Sequence, residues 1–100
     1  MTYPVDNLPP IHPGEILQDE LEALGLSATK FAAHIGVSVP TVTEILRGRR
    51  DISARMALRL AKAFGTTEQY WQNLQSNYDA KIERQDMAGE IEAIAPLVAA

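Results

Sequence analysis

The segment SATKFAAHIGVSVPTVTEILRG, residues 27–48, reads as two short helices joined by a tight turn. Ser27 stands where an N-cap belongs, because its hydroxyl can accept from N–H groups that a first helical turn leaves unpaired. Phe31, Ala32 and Ile35 then fall on one face of the first helix. Gly36 sits where the chain must bend sharply, at a positive φ that glycine takes without strain. Val37 follows as a buried plug. Ser38 caps the next helix, and Pro40 lies in its first turn, where a missing N–H costs nothing. Val42, Ile45 and Leu46 give an inward stripe at i, i+3 and i+4. Thr41, Thr43, Glu44 and Arg47 are left facing out, and Gly48 ends the helix. The small-residue face, the glycine turn and the polar outer face together make the pattern of a DNA-binding helix-turn-helix. An ordinary helical hairpin is the competing reading.

The rest of the chain is built around this pair. With 100 residues, 46% of them hydrophobic, it can form one domain with a modest core and no large catalytic cleft. It contains no cysteine, which excludes disulfides, thiolate zinc sites and thiol nucleophiles and suits a reducing cytoplasm. The opening MTYPVDNLPP lacks the basic and apolar regions of a signal peptide. No apolar run approaches the roughly 20 residues of a membrane helix, so no membrane association is expected.

The net charge of −4 is unevenly divided. Residues 1–29 contain five acids and no Lys or Arg. Residues 30–62 contain Lys30, Arg47, Arg49, Arg50, Arg55, Arg59 and Lys62 against Glu44 and Asp51, a net +5. Residues 63–100 return to −4. Phosphate attraction is a local field effect, so this basic segment favours nucleic acid despite the acidic total.

Residues 1–11 read as an extended arm, since Pro4, Pro9 and Pro10 exclude a helix. His12-Pro13 opens a first helix whose buried stripe is Ile16, Leu17, Leu21 and Leu24, and Gly25 stops it. After the helix-turn-helix, GRRDIS at 48–53 is a loop whose Ile52 is expected to enter the core. Ser53 caps a fourth helix with Met56, Ala57, Leu60, Ala61 and Phe64 inside, and Gly65 ends it. Thr66 or Thr67 caps a fifth helix, with Trp71, Leu74 and Tyr78 on one face, reaching about Lys81 or as far as Met87. Beyond it, GEIEAIAPLVAA is a weak sixth helix interrupted by Gly89 and Pro96. The expected architecture is all-α. It comprises an arm over 1–11, a five-helix domain over 12–81 and a tail over 82–100 that holds the weak sixth helix.

Catalytic and metal sites find little support. His12 and His34 stand in different helices, outside any HExxH pair, so no metal site is expected. His12 reads as a helix-start residue and His34 as a partly exposed helix residue. Gly14, Gly25, Gly36, Gly48 and Gly65 fall at helix ends and form no phosphate-cradling loop. Neither an enzymatic activity nor a cofactor is expected.

Three segments together resemble a known family: HPGEIL at 12–17, the helix-turn-helix at 27–48, and ALRLAKAFG at 57–65 followed by Trp71 and NYD at 77–79. They are similar to HigA-type antitoxins of the Xre/Cro-like, lambda repressor-like helix-turn-helix group, over about residues 10–80. The resemblance implies a five-helix domain that forms a homodimer, binds double-stranded operator DNA and represses its own operon. It also implies a toxin partner, a HigB-type mRNA endonuclease that the antitoxin neutralises. Two other readings share the fold: a solitary repressor without a toxin, and a protein-interaction module that no longer binds DNA.

In the geometry this family uses, residues 38–47 enter the major groove. Val39, Pro40, Thr43 and Glu44 match the base-facing positions. The first two offer apolar contact to a thymine methyl, Thr43 a hydroxyl and Glu44 an acceptor for a cytosine amino group. Ser38, Thr41, Arg47, Arg49, Arg50 and Lys30 match positions that contact phosphates, which hold the protein without reading sequence. So apolar a reading face leans on half-site spacing and DNA shape as well. Trp71, Leu74 and Tyr78 on the fifth helix are the expected dimer interface. The N-terminal arm, with Tyr3, is the competing one.

Overall fold

The computed structural model describes residues 8–98, so Tyr3 and Pro4 of the arm lie outside the described residues. Six helices follow in order: α1 (Pro13–Leu24), α2 (Ala28–Ile35), α3 (Val39–Leu46), α4 (Ala54–Phe64), α5 (Glu68–Asp86) and α6 (Ala88–Glu92). Among the described residues there is no strand, and no helix is long and apolar enough to cross a membrane.

Each boundary has a local cause. Ser27, Ser38, Ser53 and Thr67 cap α2, α3, α4 and α5, each accepting from the backbone N–H three residues on. α1 starts differently. His12 Nδ1 accepts from Gly14 N–H at 2.9 Å, and the Glu15 carboxylate reaches back to His12 N–H at 3.1 Å. This is a capping box with an imidazole where a hydroxyl usually stands. At the turn between α2 and α3, Gly36 adopts φ +74°, and Val37 N–H closes onto the Ala32 carbonyl at 3.0 Å.

α1 packs on α3 and α5, α2 on α3 and α4, and α4 along α5. Between them lies one core, built on Leu17, Leu21, Phe31, Ile35, Val42, Ile45, Ile52, Met56, Leu60 and Trp71. Each large apolar side chain buried there contributes roughly 1.5–3 kcal/mol against leaving it in water. Phe31, Phe64 and Trp71 form an aromatic row with ring centres 5.5 and 5.7 Å apart.

Several expectations change. Leu24 is 62% exposed rather than part of the α1 stripe. Leu26, just beyond the Gly25 turn, packs on the core in its place. Trp71 does not form a dimer interface: it is 1% exposed inside the monomer, and its Nε1–H donates to Thr66 Oγ1 at 2.9 Å. A side chain with no surface left cannot meet a second chain. Leu74 and Tyr78 on the same helix remain half-buried. α5 is unbroken across residues 81 and 82 and ends at Asp86, while Gly89 lies inside the short α6 and Pro96 beyond it.

Candidate nucleic-acid interface

α3 separates its faces cleanly. Val42 and Ile45 are fully inside, whereas Val39, Pro40 and Glu44 are exposed on the opposite side. Thr43 lies half-buried beside them, and its hydroxyl donates to the Pro40 carbonyl at 3.3 Å. With that proton engaged inside the helix, the Thr43 oxygen is left to act as an acceptor. The four positions expected to face bases therefore form one patch at the start and middle of α3.

The start of α3 is tied to the loop after it. Ser38 Oγ and Thr41 Oγ1 are 2.7 Å apart, and Arg50 Nη1 donates to Thr41 Oγ1 at 2.9 Å. Arg50 thereby leaves the loop and lies against the first turn of the helix, where unpaired N–H groups and the helix dipole already favour an anion. Arg47 and Arg49 are exposed at the other end of α3, and Arg49 N–H closes that end on the Glu44 carbonyl at 2.9 Å. Lys30 is not brought to this cluster. It is exposed on α2 and lines a separate cleft with Leu24, Phe31 and Phe64.

Two further arginines do reach the cluster. Arg55 and Arg59 of α4 join Thr41, Arg50 and Ser53 around a cleft of about 280 Å³. Arg59 Nη1 also donates to the Ile35 carbonyl at 2.6 Å, supplying a partner for the C-terminal end of α2. Both belong to the basic segment 30–62, and neither is among the positions matched to phosphate contacts. The signal for Arg55 was its place in the first turn after the Ser53 cap.

The loop carrying Arg49 and Arg50 is braced from behind. Gln75 of α5 is buried, and its Oε1 accepts from Ile52 N–H at 2.7 Å while its Nε2 donates to Asp79 at 2.9 Å. His12 is 5% exposed, with Nε2 3.9 Å from the Asp51 carboxylate and the ring edge-on to Tyr78 at 5.0 Å. That spacing is too long for a hydrogen bond, so the contact with Asp51 is electrostatic. Nδ1 already accepts from Gly14, which puts the neutral ring's proton on Nε2, facing Asp51. His34 stands apart and exposed on α2. Among the described residues, no group of three His, Asp or Glu side chains could hold a metal ion.

An exposed helix face bracketed by arginines, on a frame of short capped helices, defines a helix-turn-helix DNA-binding domain. Residues 17–71 match the helix-turn-helix family model. Virulence-associated protein I of Dichelobacter nodosus is 45% identical, over 92% of this chain and 85% of its own length. An addiction module antidote protein of the HigA family from Coxiella burnetii superposes with a TM-score of 0.86 and 47% identity, covering 89% of this chain and 99% of its own. The Pseudomonas aeruginosa antitoxin HigA, solved with the higBA promoter, has a TM-score of 0.85 and 44% identity, covering 90% and 100%. The chain belongs to the helix-turn-helix family and, within it, to the HigA antitoxins.

Proposed function

We propose that this chain is a non-catalytic repressor that binds operator DNA as a homodimer and neutralises a HigB-type toxin expressed with it. The observation that carries the reading is the exposed α3 face, Val39, Pro40, Thr43 and Glu44, flanked by Arg47, Arg49 and Arg50. The short side chains of Val39, Pro40 and Thr43 leave bases accessible, Glu44 reaches towards a base edge, and the arginines meet the phosphates on either side. Ser38 and Thr41 add hydroxyls at the helix start, and Arg55 and Arg59 extend the positive field along α4. The relative solved with its promoter supports operator binding by this chain.

Two copies are needed because one short helix reads too few base pairs. Leu74 and Tyr78, with the exposed face of α5 around them, are the proposed contact between copies, and the partnership extends to the toxin. The test is fluorescence anisotropy with DNA from upstream of the chain's own gene, competed by random duplex. Specific binding with a steep salt dependence supports the repressor reading. Equal affinity for both duplexes overturns it. Rescue of growth when the chain is co-expressed with the adjacent reading frame tests the antitoxin role.

A further inference from the structure

A groove runs between α2 and α4, apart from the α3 reading face and the proposed α5 contact, and it meets the arginine cluster only at Arg59. One part, about 520 Å³, is lined by His34, Leu58, Arg59 and Lys62. It shares His34 and Ala63 with a second part of about 370 Å³, lined by Leu24, Lys30 and Phe64. The floor is apolar, with Leu58 54% exposed, and the rim is basic. At one end the groove opens beside Lys62, Gly65 and Glu68, where α5 begins.

The tail has the complementary character. Residues 86–98 contain Asp86, Glu90 and Glu92 and no Lys or Arg. Ile91 and Ile94 are exposed, and Leu97 is 100% exposed. α6 packs on α5 and makes no comparable contact with α2 or α4. The tail also starts at the wrong end of its own chain: the 19 residues of α5 carry it roughly 28 Å from the groove mouth. A second α5 lying antiparallel to the first brings its C-terminal end back to that mouth.

We infer that the acidic, apolar tail of one copy docks in the basic-rimmed α2–α4 groove of a second copy. The inference rests on the α5 pairing proposed above. Because tail and groove are different surfaces, a two-fold pair makes the contact twice and closes on itself. Ile91, Ile94 and Leu97 cover the apolar floor, and Glu90 and Glu92 meet Lys62 and its neighbours.

The chain has no cysteine, so thiol cross-linking of the full-length protein is a clean test. A Leu97→Cys chain is mixed with a Leu58→Cys chain and a short bis-maleimide. Covalent heterodimer should form about ten times faster than with an Asp19→Cys chain, whose thiol is exposed on the face of α1 opposite Leu17 and Leu21, because docking raises the local concentration. Adding Lys62→Glu to the Leu58→Cys chain should slow it about tenfold, as should high salt. Equal rates with Leu58→Cys and Asp19→Cys overturn the inference and leave the groove to another partner. An Asn77→Cys chain, with its thiol beside Leu74 and Tyr78, reports separately on α5 pairing. If it links to itself while Leu97→Cys fails to reach Leu58→Cys, the pairing stands and the tail docking falls. The opposite result overturns the α5 pairing, and the inference in the form argued from it, while showing that tail and groove meet by another arrangement of the two copies.

Discussion

Replacing Gly14 with alanine should destabilise the fold, although a glycine-to-alanine change in a helix ordinarily gains up to about 1 kcal/mol. Gly14 lies in the first turn of α1, and a Cβ there would overlap the Ile45 carbonyl oxygen of α3. It would also lie 3.0 Å from His12 Nδ1, the atom that caps α1. Backbone cannot rotate away as a side chain can, so α1 and α3 must separate. Overpacking of this kind costs about 1–3 kcal/mol, and disturbing the cap adds about 1. Against the propensity gain, the net loss is about 2 kcal/mol, which at roughly 4–8 °C per kcal/mol lowers Tm by about 10 °C. Circular dichroism at 222 nm during heating and urea titration measures it, with an unchanged m-value showing that only stability moved. Gly89→Ala is the control, since nothing lies within 4 Å of a Cβ there. A Gly14→Ala chain as stable as its parent would refute the close approach of α1 to α3.

Gly36→Val should cost about 1–3 kcal/mol by the same melts, because a β-branched residue is strained at φ +74° and its Cβ comes within 3.3 Å of Arg59 Nη1. Gln75→Leu leaves the buried Ile52 N–H without its acceptor and should lower the urea midpoint by the equivalent of about 1–3 kcal/mol. Arg49→Ala or Arg50→Ala should weaken operator and random DNA alike and reduce the salt slope by about 1 per lost phosphate contact, twice that for a two-fold pair. Glu44→Ala should instead change preference at one base pair per half-site by roughly 1–3 kcal/mol in competition binding. A uniform effect across all duplexes would make Glu44 a field effect on phosphates.

What was legible in the sequence acts over short distances. Ser27, Ser38 and Ser53 each bond to the backbone three residues on, and Gly36 turns the chain where it stands, so order alone reveals them. The inward pair Val42 and Ile45 follows from helical period, and the outward patch on α3 follows by subtraction. Periodicity also groups Trp71 with Leu74 and Tyr78, but it does not say what meets that face. Phe64 and Thr66 of the same chain meet Trp71. Gly14, Gln75 and the Arg50–Thr41 tie were hidden for a related reason: each depends on a partner brought near by packing. A glycine at a helix start and a glutamine in a polar helix carry no local mark of such duties.

The brace behind the arginine loop has a thermodynamic consequence. Gln75 and Tyr78, through Ile52 and His12, make α5 a rigid backing for residues 48–52. α5 is also the helix through which two copies are proposed to meet. Any free energy by which pairing favours one placement of that loop is returned in full when DNA favours the same placement, because linkage between two binding events is reciprocal. Operator DNA should therefore tighten the association of the two copies by the same factor by which association tightens operator binding. Any ligand of α5 that shifts the helix would draw on the same coupling, with no need to touch DNA.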